Sequence, residues 1–205
     1  MIRVPELQFV PAQPANLTEV LESQIRRLIE CGVPQEVGVD KAKFLDDAMK
    51  MSDQFAYSTE LAGIGLDRVA VMPYGARECF LREASGVVLW HSSNNFTLFE
   101  GVTVPESLRV VQFQFGPKYQ NCRTFDVRRQ HAALEELGTP EEGLTAYLYW
   151  GEDLLGDSFM GFPGTVAWHN STPCLWLYNR VAVLSQSDDL ESKPRLRSFT
   201  VFRGR

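Results

Sequence analysis

The sequence predicts an α+β fold: a largely antiparallel sheet with an N-terminal helical pair and two mid-chain helices. Three observations carry this. Apolar residues recur at helical spacing in an N-terminal block and again in mid-chain. Short runs rich in valine and aromatic residues fill the stretches between and after these blocks. The runs come in adjacent groups joined by short turns, which favours antiparallel pairing over a doubly wound sheet. No linker, repeat or low-complexity tract divides the 205 residues. A single globular domain over 1–205 is therefore expected, helical over about 16–55 and sheet-containing over about 66–205.

The elements follow in order. Asn16 stands three residues before Glu19, a capping arrangement, and Leu17, Val20, Leu21, Ile25, Leu28 and Ile29 then mark a helical face. Gly32 and Pro34 are expected to end it. Asp40 opens a second helix whose face carries Phe44, Leu45, Ala48, Met49, Ser52 and Phe55. From about residue 68 the pattern changes: RVAVM, GVVLWH, FTLF and LRVVQFQF read as strands, with PYGARE as a turn or loop. In the last of these, Val111, Phe113 and Phe115 alternate with Gln112 and Gln114, the period of a half-buried strand. In DVRRQHAALEELG, Val127, His131, Leu134 and Leu137 share a helical face that Gly138 ends. Thr139, Pro140 and Glu142 then form a specific start signal for a helix from about Pro140 to Trp150. TVAWH, PCLWLYN, RVAVL and RSFTVF close the chain as strands.

Composition excludes several classes. A hydrophobic fraction of 44% and a net charge of −6 describe an ordinary globular chain with a real core and argue against a nucleic-acid partner. The C-terminal Arg195, Arg197, Arg203 and Arg205 form a local exception, read as a solvated basic edge strand. Cys31, Cys79, Cys122 and Cys174 lack metal-ligand or redox spacing and are expected as small buried hydrophobes. No stretch has the length of a membrane span or the form of a signal peptide, so a cytoplasmic location is expected. GDSFMG around Ser158 misses the nucleophile-elbow spacing by one residue, and GIGLDR lacks the third glycine of a dinucleotide loop. No cofactor or metal site is expected from motifs of this kind.

Two segments echo one another. WHSSNN begins at Trp90 and WHNSTP at Trp168, so His91 and His169 each follow a tryptophan and precede small polar residues. Turn chemistry explains the polar runs. Were the two strands neighbours, the imidazoles would make a polar pocket flanked by indoles, with Asp153 as a nearby acid for acid–base work. The pairs Glu141–Glu142 and Glu152–Asp153 read, respectively, as charge at a helix N-terminus and as solvated surface. Aromatic residues gather late in the chain, including Trp150, Trp168, Trp176 and Tyr178, and with Trp90 they form the candidate ligand-binding set.

The order of VAVMP, FEGVTVPESLRVVQF, ALEELGTPEEGLTAYLYW and PCLWLYN resembles an uncharacterised actinobacterial family defined only as a domain of unknown function. Gln24, Leu28, Ile29, Gly32 and Pro34 are similar to that family's opening helix. The resemblance implies a bacterial soluble protein and brings no activity. This chain departs from the pattern in its tail, SKPRLRSFTVFRGR, where the family carries Trp, Gly, Cys and an Asn-Pro-His-Thr-Trp stretch.

Together these readings lead to a binding role, for a small apolar or aromatic ligand or for a protein partner. The alternative is a cofactor-independent small-molecule enzyme using His91 or His169 as acid–base. A protein-binding role requires at least two of the late aromatics to be uncovered on the surface.

Overall fold

The computed structural model describes residues 16–90, 96–115, 117–131, 135–167, 171–187 and 195–203. The N-terminal pair is α1 (Leu17–Glu30) and α3 (Lys41–Gln54), with a short α2 (Val33–Glu36) between them. α1 buries Leu21, Gln24, Ile25 and Leu28, the face its apolar spacing predicts. Asn16 makes no side-chain capping bond there. Gly32 ends the helix in the left-handed region at φ 86°, a conformation that costs glycine little, and Pro34 sits in the first turn of α2. At α3, Asp40 does cap, accepting from the amides of Ala42 and Lys43 at 2.8 and 3.2 Å. α4 (Thr59–Gly63) follows, capped by Ser58.

The strands divide between three sheets, and six of the eight pairings among the described residues are antiparallel. The first sheet has the order β1 (Arg68–Met72), β4 (Arg109–Gln114), β11 (Thr200–Phe202), β5 (Glu136–Leu137). Its β1 edge is covered by α1. The Gln24 amide donates to Val69 O at 3.1 Å and accepts from Val71 N at 2.9 Å, so a side chain replaces the missing neighbour strand. The second sheet runs β10 (Leu196–Ser198), β6 (Phe159–Gly161), β8 (Thr172–Tyr178), β9 (Val181–Ser187), β2 (Val88–Leu89), with β10–β6 and β9–β2 parallel. A small third sheet pairs β3 (Thr97–Leu98) with β7 (Thr165–Val166).

Four helices complete the chain: α5 (Glu78–Ala84), α6 (Thr124–Gln130), α7 (Pro140–Trp150) and α8 (Glu152–Leu155). α7 starts where its Thr-Pro-x-Glu signal predicts, and the Glu142 carboxylate accepts from the Thr139 amide at 2.9 Å. It is buried on most sides. Its Leu144 and Ala146 join Val111 and Phe113 of the first sheet and Met160, Leu175 and Leu184 of the second in the largest apolar core. A second core sets Leu21, Ile25 and Leu28 of α1 and Phe44 and Ala48 of α3 against Val69 and Val71 of β1.

Four expectations are corrected. The helix read through His131, Leu134 and Leu137 stops at Gln130, because Glu136 and Leu137 instead pair with β11. RSFTVF is not one strand: its halves belong to different sheets, joined at the buried Phe199. The tail is a solvated basic edge only in its first part: β10 is an edge strand with Arg195 exposed beside it, whereas β11 lies inside the first sheet and Arg203 is 4% exposed. Of the cysteines only Cys174 is buried, and Cys79 is exposed.

Candidate functional site

Alternation along the strands sorts the second sheet into two faces. Met160, Leu175, Ala182, Leu184 and Leu89 point into the core. Register places Trp176 opposite Val183, Tyr178 opposite Val181, and Val88 beside Val183, all on the other face with Trp90 and Phe159. Among the described residues no helix packs on this face, and Val183 at its centre is buried beneath the surrounding rings. Val88 (51%), Trp90 (47%), Tyr178 (45%) and Val181 (45%) stand exposed there. They account for half of the eight large hydrophobic residues that are exposed among the described residues.

The rings touch one another. Trp90 lies 6.1 Å from Trp176 and 5.2 Å from Tyr178, Trp176 lies 5.6 Å from Tyr178, and Phe159 stacks on Trp176 at 5.2 Å. Trp176 is fixed from below, its Nε1 donating to Ser185 Oγ at 3.1 Å. Interplanar angles of 49°, 76° and 66° within the Trp90–Trp176–Tyr178 triangle leave no shared plane. This is a ridged apolar surface, not a flat stacking platform. Aromatic side chains carry about 150–250 Å² each, so Trp90 and Tyr178 alone leave on the order of 200 Å² of ring surface uncovered.

The structure therefore brings together three of the five predicted ligand-binding residues: Trp90, Trp176 and Tyr178. Trp150 is elsewhere, edge-on to Phe113 at 5.5 Å and Tyr149 at 5.6 Å as part of the core wall. Trp168 lies outside the described residues, as do His91 and His169. Asp153 is exposed on α8. His131, expected to be buried, is half-buried at the end of α6, its Nδ1 3.2 Å from Arg128 O.

A second region was not legible in the sequence. The Glu142 carboxylate is 1% exposed and receives Arg203 Nε and Nη2 at 2.8 and 2.9 Å and the Tyr74 hydroxyl. Arg203 also reaches Glu136 at 3.0 Å and Leu137 O at 2.8 Å. Burial works against the guanidinium's charge, but the adjacent Glu142 carboxylate outweighs it and holds the pKa of Arg203 up. Burial, with the Glu142 charge adding to it, raises that of Tyr74. Tyr74 and Glu142 of this network line a cleft of 330 Å³ between α7 and the turn at Pro73–Gly75, with Met72, Leu81, Leu98 and Val104 as apolar lining. Glu141 faces the same cleft, and burial raises its pKa. A larger cleft of 680 Å³ opens on the other side of that turn, against α3.

Among the described residues no three His, Cys, Asp or Glu side chains gather as a metal site, and no helix is long and apolar enough to cross a membrane. No family model, curated protein or solved structure matches the chain.

Proposed function

We propose that this is a protein-binding domain that docks through the aromatic outer face of its five-stranded sheet, with a second copy of the chain as the occupant. The observation that carries the reading is the contiguous patch of Trp90, Tyr178, Val88 and Val181, each about half uncovered and backed by Trp176 and Phe159; of the late aromatics only Tyr178 is exposed among the described residues, and the second uncovered ring, Trp90, comes from earlier in the chain. Leaving such a patch in water is unfavourable by roughly 25 cal/mol per Å² of apolar surface. Monomers seldom keep large ones without a use. Trp and Tyr are the residue types that anchor protein interfaces.

Chemistry narrows the occupant. Tilted rings and a net charge of −6 do not suit a stacked nucleic-acid strand. The edge strand β2 presents Val88 where a monomer guarding its edge would place a charge. Two such faces packed by a twofold rotation would bury both patches as the centre of one interface. A standard interface needs about 800 Å² from each partner. The patch supplies its apolar centre, and the exposed Asn179–Arg180 turn between β8 and β9 supplies part of the polar rim.

Sedimentation analysis across the micromolar range tests this. The expected result is a concentration-dependent dimer for the wild type and a monomer for the double variant Trp90→Ser, Tyr178→Ser. The variant should keep its melting cooperativity, because both side chains are half outside the core. A wild-type protein that stays monomeric throughout would overturn the self-association reading. So would a dimer indifferent to the double substitution.

A further inference from the structure

We propose that the cleft between α7 and the Pro73–Gly75 turn binds a small organic ammonium ion, its apolar body against Met72, Leu81, Leu98 and Val104 and its N–H groups donating to the Glu141 carboxylate. This site is separate from the aromatic face and does not depend on it.

Two of the charged groups lining the cleft, Glu142 and Arg77, are already paired. Glu142 is held by Arg203, Tyr74 and the Thr139 amide. Arg77, on the rim, is held by Glu36 in a two-pronged pair at 2.6 and 3.2 Å. Glu141 has no cationic partner among the described residues, although it lines a cleft whose walls are largely apolar. Its own surroundings disfavour the charged form. Burial is the largest cause; hydrogen bonds from its own amide and from the Thr139 hydroxyl offset part of it, and the neighbouring Glu142 charge adds to it. Glu78 of α5 is shifted the same way, chiefly by burial; Arg82, 3.5 Å away, opposes the shift and Glu141 adds a smaller repulsion.

A ligand can relieve this in one way that fits every wall. A cation paired with Glu141 offsets the cost of a half-buried carboxylate, and its hydrocarbon part displaces water from the apolar lining. An anionic ligand would meet Glu141 and Glu142 with like charge. A neutral one would gain only the apolar part. The volume of 330 Å³ is at the lower end for small-molecule sites, which suits a single ring with a short aminoalkyl chain.

The probe is phenethylamine, titrated calorimetrically into the full chain, with 2-phenylethanol and 3-phenylpropionate as controls of similar shape. Saturable binding of the amine is expected, with the alcohol weaker by about tenfold or more and the carboxylate silent. In Glu141→Gln the amine should lose about the same factor while the alcohol is unchanged. Thermal melting of Glu141→Gln separates lost binding from lost folding. That variant should stay folded, because burial opposes the carboxylate while its place in the first turn of α7 favours it, and the two effects offset. Absence of saturable amine binding would overturn the proposal. Equal binding of amine and alcohol would overturn it too, as would amine binding untouched by Glu141→Gln.

Discussion

Arg203 shows what a single residue can hide. In the sequence it belongs to an arginine-rich tail without acids, and a basic solvated strand is the natural reading of that run. In the fold it is 4% exposed and binds two carboxylates and a carbonyl, all on segments far upstream. Glu142 is similarly ambiguous. Its place in the first turn of α7 explains a negative charge by the helix dipole alone, yet its carboxylate also closes the Tyr74–Arg203 network. Removing one partner of such a pair leaves a buried charge uncompensated. Arg203→Ala should therefore cost about 3–5 kcal/mol in urea unfolding. Glu142→Gln in the Arg203→Ala background should recover part of that loss, because it removes the stranded carboxylate. A loss of only a few tenths in Arg203→Ala would show that water satisfies Glu142.

Among the elements, α7 was the most legible, because its start depends on residues within four positions of one another. Its seat was not. Gly143, the fourth residue of the helix, lies against the ring of Phe162, and a Cβ there would overlap the ring. Alanine at an ordinary helix position would stabilise. At Gly143 the overlap with a fully buried ring reverses the sign, and Gly143→Ala should cost about 1–3 kcal/mol. Unfolding by urea measures it, and a neutral or stabilising result would mean that Phe162 can move aside. α6 illustrates the opposite outcome. Its apolar spacing continues past Gln130, but β11 offers Glu136 and Leu137 a strand partner, and tertiary hydrogen bonding overrides the helical period. α5 was missed for another reason: seven residues carry too few turns for a periodic signal.

At the scale of the whole molecule, the segment from Leu196 to Phe202 joins the two main sheets. Leu196–Ser198 extends the second sheet alongside β6, and Thr200–Phe202 enters the first beside β4. Phe199 between them is fully buried, stacks on Phe113 at 5.1 Å and meets Phe162 edge-on at 6.3 Å. Its amide donates to Gly161 O and its carbonyl accepts from Gly138 N, so its backbone is tied to both sides. Phe199→Ala should cost about 3–5 kcal/mol. Because it loosens the joint between sheets, it should also broaden the unfolding transition, seen as a lower denaturant slope. A single sharp transition with an unchanged slope would show that the sheets unfold together without this contact.

The α+β class, the first and third helices, the capped start of α7 and the presence of strands β4 and β8 were legible in the sequence; the half-buried reading of β4 was not right, because Gln112 and Gln114 are 1% exposed and bond inside the fold. Each of the legible features rests on neighbours a few residues apart, where spacing, capping groups and turn residues act directly. Only the tertiary structure decided which strands share a sheet, that RSFTVF would split between two, that Arg203 would be buried against Glu142, and that Trp90 would meet Trp176 and Tyr178 on an open face. Those outcomes depend on contacts between residues tens of positions apart. A local pattern shows that a strand has an apolar face, but what covers that face, or leaves it open, is decided by the rest of the chain.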